Sequence, residues 1–316
     1  MKRRALVLAV LLAAGSALAQ INAARPLRLI VPFAAGTSTD VVGRLLADAL
    51  GKQLAQTVIV ENKPGAGGAI GSELAAKSGA DGHTLLLGTV GTHAINPSLY
   101  KRLAYQPLRD FVPLGFVGAT PTLLVVPAAS PWKSVADFGR AAGKDVSFAS
   151  AGNGTSGHLA GELLSSRLGK NFVHVPYRDG AQALTELMAG NVQFMFYHPA
   201  AVLPHIRAGR LRALGVSSTR RSTAAPEVPA LIEQGVAGFD LVAWFMLYAP
   251  ADMPAAQRER LREATRQVLA QPEVHDKLAA QGVELSEMGA AEMASFGASE
   301  ITKWGEAVKR SGAQVD

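Results

Sequence analysis

Two stretches of the sequence combine glycine with hydroxyl residues where a predicted strand passes into a predicted helix. They read VPFAAGTSTDVVGRLL, beginning at residue 31, and ASAGNGTSGHLAGELL, beginning at residue 149. Each offers free backbone N–H groups and hydroxyls at the positive end of a helix dipole, which suits an oxyanion. Either stretch alone is explained as well by helix capping through Ser38, Thr39, Thr155 or Ser156. Two such stretches favour a carboxylate or a similar anion between them, because the chain is expected to form two facing lobes with one stretch in each.

The second stretch also fits a dinucleotide site. Gly152, Gly154 and Gly157 have the spacing G-x-G-x-x-G, and Asp179 lies downstream where a ribose-binding acid would be sought. Reduced nicotinamide cofactors are cytoplasmic, however, and this chain begins with a pattern typical of export. We therefore expect no nucleotide cofactor.

Hydrolytic and metal chemistry find little support in the residue pattern. Ser130 and Lys133 have the S-x-x-K spacing of serine β-lactamases, but the chain has no S-D-N triplet, and the triplet nearest to K-T-G, at residues 77–79, precedes the serine. The seven histidines include no H-E-x-x-H pair, and the chain contains no cysteine, so no metal site is expected. An exported hydrolase or lyase is kept as an alternative function.

The first 19 residues have the pattern of a secretory signal peptide. Three basic residues at positions 2–4 precede an apolar run at residues 5–14, and small residues at 17–19 form a cleavage site. The apolar run is too short to span a bilayer. We expect cleavage after Ala19 and a soluble mature protein in a bacterial periplasm. Cleavage lowers the formal net charge from +6 to +3, and no basic run interleaved with aromatic residues indicates a nucleic-acid partner.

Strands and helices alternate along the rest of the chain, which predicts an α/β fold with mainly parallel sheets. We expect one lobe of residues 20–124 and 248–316 and a second of residues 125–247. The crossing strands are the segments TPTLLVVP and AWFMLYAP, and a helical tail follows from Pro254. A ligand cleft would lie between the two lobes.

Longer motifs give the sequence a specific resemblance. They include PLRLIVPFAAGTSTDVVGRLLADAL, VENKPGAGGAIGSELAAKSGADG, FASAGNGTSGHLAGELL and VPYRDGAQALTELMAGNVQFMF, in this order. The chain resembles the Bug-type receptors, the extracytoplasmic solute-binding components of tripartite tricarboxylate transporters. The resemblance implies a two-lobed type II periplasmic binding protein, a monomer that closes on a small organic acid and presents it to the membrane permease subunits. A sensor protein that feeds a signalling kinase would share the same ligand chemistry.

The resemblance also implies the binding residues. It assigns ligand contact to Phe33, Ala35, Gly36, Thr37, Ser38, Thr39 and Asp40 in the first loop, to Thr92 and His93 after the third strand, to Asn153, Gly154, Thr155 and His158 in the second loop, and to Tyr197. Three positions depart from the family pattern: Thr37 and Asp179 replace frequent glycines, and Tyr197 replaces a frequent aspartate. The last change favours a less polar or aromatic acid over an amino acid.

Overall fold

The computed structural model of the chain describes residues 25–79, 81–141, 146–311, 313 and 315. The predicted signal peptide, residues 1–19, and its cleavage site lie outside these residues. Within the described ranges, no helix combines the length and the apolar character that crossing a membrane requires.

The described strands form two five-stranded sheets. The first has the order β2-β1-β3-β10-β4, and the second has the order β7-β6-β8-β5-β9. The strands are β1 (Leu27–Val31), β2 (Val58–Asn62), β3 (Thr84–Thr89), β4 (Phe111–Pro121), β5 (Leu123–Pro127), β6 (Ser147–Ser150), β7 (Val173–Pro176), β8 (Phe194–Tyr197), β9 (Leu211–Val216) and β10 (Val242–Pro250). Each sheet is the centre of one lobe.

Helices connect these strands and complete the lobes. They are α1 (Ser38–Leu54), α2 (Ala69–Ala76), α3 (Asn96–Leu99), α4 (Pro107–Asp110), α5 (Val135–Ala141), α6 (Ser156–Arg167), α7 (Gly180–Met188), α8 (Pro199–Arg207), α9 (Ala255–Leu269), α10 (Pro272–Ala280) and α11 (Ala290–Ser311). A π-helical turn at Gly91–Ile95 leads into α3, and single 3-10 turns lie at Ala66–Gly68 and Ile232–Gln234.

The parallel pairing that the sequence predicts covers only part of each sheet. Strand β1 is parallel to β2 and β3, and β6 is parallel to β7 and β8. Strand β10 is antiparallel to β3 and β4, and β5 is antiparallel to β8 and β9. The exceptions are the strands that carry the chain between the lobes, because a chain that enters or leaves a lobe need not follow the βαβ crossover that makes neighbours parallel.

The two crossings lie side by side. The chain leaves the first sheet at Pro121, enters the second at Leu123 and returns to the first at Val242, where Val242 faces Pro121 across the β4–β10 ladder. The expected lobe boundaries, after residues 124 and 247, fall within β5 and β10. The strands themselves divide between the sheets a few residues earlier in each case.

Helix α1 illustrates how local sequence builds these lobes. Its apolar residues Val42, Leu46 and Leu50 recur at every fourth position and are all buried, as one face of an amphipathic helix requires. Thr37 caps its N-terminus, and Ala55 adopts the left-handed conformation after its last turn. The start of α1 is therefore set by its cap, and the face that it turns to the core is set by its apolar residues.

Candidate functional site

The two glycine-containing loops found in the sequence have the same backbone arrangement. Thr37 and Thr155 precede α1 and α6, and each Oγ1 accepts the N–H of the residue three positions later at 3.4 Å. Each hydroxyl also donates to the carbonyl oxygen three positions earlier, Ala34 at 2.8 Å and Gly152 at 2.9 Å. Both threonines are thus helix N-caps whose hydroxyl hydrogens and oxygens are already in use.

A further contact closes each loop from the first helical turn. Gly36 and Gly154 both have φ of +80°, a conformation that favours glycine because it has no Cβ. The N–H of Gly36 donates to the Asp40 carboxylate at 2.8 Å, and the N–H of Gly154 donates to His158 Nδ1 at 3.3 Å. In both loops, therefore, the side chain at the third helical position holds the glycine that precedes the cap.

This arrangement leaves the first backbone N–H groups of both helices without partners. Among the described residues, no hydrogen bond reaches the N–H of Ser38 or Thr39 in α1, or of Ser156 or Gly157 in α6. The Ser38 hydroxyl is also buried without a partner among them. Unpaired N–H groups at the positive end of a helix dipole make a site for an anion.

Both helix termini open into one cleft between the sheets. Its lining consists of Phe33, Thr37, Ser38, Thr39, Thr89, Val90, Gly91, Ala151, Thr155, Ser156, Gly157, Phe196, Tyr197, His198, Ala243, Trp244 and Phe245. No Asp, Glu, Lys or Arg is among these lining residues. An anion in the cleft would therefore meet hydroxyls, backbone N–H groups and apolar side chains.

Six of the residues expected to contact a ligand lie in this lining: Phe33, Thr37, Ser38, Thr39, Thr155 and Tyr197. Eight others do not: Ala35, Gly36, Asp40, Thr92, His93, Asn153, Gly154 and His158. Gly36, Asp40, Gly154 and His158 hold the loops in shape, as described above. For all fourteen residues, contact with a ligand stays a prediction.

His93 lies in an aromatic cluster of the first lobe. Its ring stacks on Tyr248 with centroids 4.0 Å apart, and Phe111 lies at 5.0 Å. Its Nδ1 is 2.8 Å from the hydroxyl of Thr92, which also contacts the backbone of Thr89. Burial lowers the pKa of His93 to about 3, so this ring is neutral at ordinary pH.

The lining also contains residues that sequence analysis did not assign to ligand contact. Ser156 and Gly157 directly follow the capping Thr155, and the second loop itself was the signal that could have found them. His198 and Trp244 come from distant segments, next to β8 and within β10, and carry no local motif. The Trp244 indole donates to Glu300 at 2.8 Å, which fixes its ring against α11.

Asp40 combines burial with several donors. Burial alone would raise the pKa of the Asp40 carboxyl, but hydrogen bonds from Arg44, from the Gly36 N–H and from Asn62 outweigh it and lower the pKa below its usual value. The Arg44 Nε lies 3.0 Å from Oδ2, and the Asn62 amide lies 2.9 Å from Oδ1. The charge beside the first loop is therefore compensated within the loop's own lobe.

The second loop rests on two neutral histidines. His158 and His174 stack with ring centroids 4.0 Å apart. Burial lowers the pKa of His158 to about 4, and burial together with repulsion from His158 lowers the pKa of His174 to about 3. Glu162 lies 3.9 Å from His158 Nε2, and burial raises its pKa.

The second loop also contacts the opposite lobe. The carbonyl oxygen of Gly154 lies 2.9 Å from where a Cβ on Gly91 would stand. A Cβ on Gly67 would collide with the carbonyl oxygen of Asn153, and one on Gly154 would collide with Asn96 Oδ1. Glycine on both sides thus permits the lobes to approach backbone to backbone.

The structure bears on two alternatives that the sequence raised, a ribose-binding role for Asp179 and a metal site. Asp179 accepts the N–H groups of Ala181 and Gln182 at 2.9 Å and so caps α7. This capping explains the aspartate without a ribose. Among the described residues, no group of three or more metal-ligating side chains comes together.

Comparison with known proteins identifies the family. Residues 42–313 match the model of the tripartite tricarboxylate transporter family receptor. The chain is 35% identical to BugT of Bordetella pertussis over 323 residues, which cover 100% of this chain and 99% of BugT.

Solved structures with the same fold agree with this match. The periplasmic binding protein BugD superposes with a TM-score of 0.86 at 32% identity, covering 92% of this chain and 98% of BugD. A Rhodopseudomonas palustris protein with adipate superposes with a TM-score of 0.88 at 31% identity, covering 92% of this chain and 99% of that protein. MatC from the same organism, with bound malate, superposes with a TM-score of 0.85 at 31% identity, covering 90% of this chain and 99% of MatC. The chain has the fold of these periplasmic binding proteins, and it belongs to the tripartite tricarboxylate transporter receptor family.

Proposed function

We propose that the protein is a periplasmic receptor that binds a small organic acid and holds one carboxylate between the N-terminal turns of α1 and α6. The observation that carries the proposal is the pair of helix N-termini that open into one cleft, each with two backbone N–H groups that have no partner in the described part of the chain. The buried Ser38 hydroxyl adds a further unpaired polar group. Neutral dipoles of this kind stabilise an anion without forming a permanent ion pair, which suits reversible binding.

The lining favours an acid with an apolar body. Phe33, Phe196, Tyr197, Trp244 and Phe245 supply most of the bulky side chains, and no charged lining residue faces the part of the ligand beyond its first carboxylate. Burial and the nearby Asp179 raise the pKa of Tyr197, so its phenol stays neutral. Adipate, present in one structural relative, has an apolar chain of four methylene groups between its two carboxylates, whereas malate, bound to MatC, is shorter and hydroxylated.

We further propose that the chain is exported with cleavage after Ala19, acts as a monomer and delivers its ligand to the membrane subunits of a tripartite tricarboxylate transporter. Family membership and the signal-peptide pattern support this assignment. The competing role, a sensor for a signalling kinase, would use the same cleft with a different partner.

A binding function also agrees with the side chains of the cleft. Among the described lining residues, no hydroxyl is hydrogen-bonded to a histidine: the Ser38 Oγ and the His198 Nδ1 are both buried without partners. A hydrolase would need an activated nucleophile beside a base. We therefore expect the ligand to leave the protein chemically unchanged.

Thermal unfolding and titration calorimetry with adipate, malate, citrate and benzoate test the proposal. A ligand at about 100 times its Kd stabilises the folded state by about 2.7 kcal/mol, which raises the Tm by several degrees. We expect at least one acid to bind at micromolar to submillimolar concentration, adipate more tightly than malate, and every bound acid to be recovered intact by mass spectrometry. Binding that requires a metal ion, binding of nucleotides alone, or failure of every acid would overturn the proposal.

A further inference from the structure

The two ligand loops differ in the side chain that holds them. Asp40 in the first loop and His158 in the second occupy the same helical position, and each accepts the N–H of a glycine with φ of +80°. The position resembles that of a capping box, in which the third helical side chain reaches back to the chain before the helix. His158 performs with an imidazole nitrogen what Asp40 performs with a carboxylate oxygen.

This contact determines the tautomer of His158. A ring nitrogen that accepts a hydrogen bond carries no proton, so a neutral ring that accepts at Nδ1 must carry its proton on Nε2. That nitrogen points toward Glu162, whose Oε1 lies 3.9 Å away. The His158 side chain is nearly buried, and the ring is stacked on His174.

His174 supports the other end of the same loop. Its Nε2 lies 2.6 Å from the Ser150 hydroxyl, and the Ser150 Oγ accepts the N–H of Gly152 at 3.1 Å. The stacked rings thus connect, directly or through Ser150, to the two glycines on either side of Asn153. Neither histidine lines the cleft.

We propose that His158, as the neutral Nε2–H tautomer, is a positioning residue that holds Gly154 and thereby aims the Ser156 and Gly157 N–H groups into the cleft. His174 keeps the ring of His158 in place. The effect of His158 on ligand affinity rests on the proposed function, whereas its tautomer and its hold on Gly154 are properties of the free protein. Burial keeps both rings neutral, since it lowers the pKa of each far below 6.5.

Two variants separate the acceptor from the rest of the side chain. His158→Asn places a neutral acceptor near the Nδ1 position, whereas His158→Leu removes the acceptor and retains apolar bulk. His275→Leu is a control, because His275 lies on α10 with 56% of its side chain exposed. All three variants are purified and their folding is checked by thermal unfolding before binding is measured.

In the free wild-type protein, long-range ¹H–¹⁵N correlation should show the proton of His158 on Nε2, and the Gly154 amide should exchange slowly with solvent. In His158→Leu, exchange at Gly154 should accelerate, and the affinity for adipate and malate should fall about fivefold to tenfold, the loss expected from one hydrogen bond. His158→Asn should restore most of both properties, and His275→Leu should alter neither.

A proton on Nδ1, unchanged Gly154 exchange in His158→Leu, or equal losses in the Asn and Leu variants would overturn the inference. If wild-type protein binds neither acid, the carboxylate proposal fails by itself. The tautomer and the amide exchange then decide the role of His158 alone.

Discussion

The loops before α1 and α6 share their caps, their glycine conformation and their unpaired N–H groups, yet they are held by different chemistry. In the first loop, the Asp40 carboxylate receives hydrogen bonds from Gly36, Arg44 and Asn62. In the second, His158 receives one longer hydrogen bond from Gly154 and stacks on His174. The same anion-accepting backbone can thus be held either by a carboxylate whose charge is compensated, as at Asp40, or by a neutral ring, as at His158.

The difference has a consequence for the cleft. Arg44 balances Asp40 within the first lobe, whereas the ion-pair partner near His158 among the described residues is the carboxyl of Glu162. A second carboxylate at position 158 would place uncompensated negative charge behind a site meant for an anion, and a neutral imidazole avoids that repulsion. The second loop also carries the contacts to the opposite lobe through Gly154, so its shape bears on closure as well as on binding.

Lowering the pH should produce the largest difference between the loop that Asp40 holds and the loop that His158 holds. Burial lowers the pKa of His93 and His174 to about 3 and of His158 and His198 to about 4. Histidines in the unfolded chain bind protons near pH 6.5, so the unfolded state holds more protons between pH 6.5 and 4, and the free energy of unfolding falls as the pH falls. Each histidine should remove on the order of 3 kcal/mol between pH 7 and pH 4.

Urea unfolding at pH 7, 6, 5 and 4 measures this slope. His158→Asn should flatten it, because one titrating buried ring is gone. The first loop should keep its acceptor over the same range, since hydrogen bonds hold the pKa of Asp40 below its usual value. A free energy of unfolding that stays constant from pH 7 to pH 4.5 would contradict the assignment of neutral buried rings.

The variants Gly36→Ala and Gly154→Ala form a matched pair, and their expected effects on stability are of intermediate size. Both positions have φ of +80°, which costs an alanine about 1–2 kcal/mol in either loop. A Cβ at Gly36 meets open space, whereas one at Gly154 would collide with Asn96 Oδ1 and lie 2.8 Å from Leu99, both in the opposite lobe. Gly154→Ala should therefore be the less stable variant and should also push the lobes apart.

Small-angle scattering of the free proteins distinguishes the two effects. The radius of gyration should increase for Gly154→Ala and stay at the wild-type value for Gly36→Ala. Equal radii in the two variants would show that the second loop does not limit how closely the lobes approach.

Local patterns were sufficient to predict the helices of these loops. The helix predicted at the end of the stretch VPFAAGTSTDVVGRLL is α1 from Ser38 to Leu54, because both its cap and its apolar spacing are set by neighbouring residues. Strand β4 was not predicted: Pro113, Gly115 and Gly118 interrupt its pattern, and its partner β10 lies more than a hundred residues away in the sequence. Pairing between such distant strands leaves no local signal.

The candidate site, like the fold, could be predicted only in part from the sequence. The sequence pointed to both loops, but it could not show that Ser38 and Thr39 face the cleft while Asp40 turns back to Gly36. That distinction depends on how α1 is rotated against its sheet. Residues such as His198 reach the cleft only through the tertiary fold.

The smallest effect is expected from removing the threonine N-cap that both loops have. Thr37→Ala and Thr155→Ala each remove a cap with the same acceptor and donor contacts, so each should cost about 1 kcal/mol of stability. Because both hydroxyls are engaged by the backbone, their loss should loosen the N–H groups that hold the carboxylate, and adipate and malate should weaken by the same factor of about three to five. Urea unfolding and calorimetry of both variants measure the two quantities. A change in preference between the acids in only one variant would mean that its threonine contacts the ligand beyond the shared carboxylate, and that the two loops are unequal in binding as well as in support.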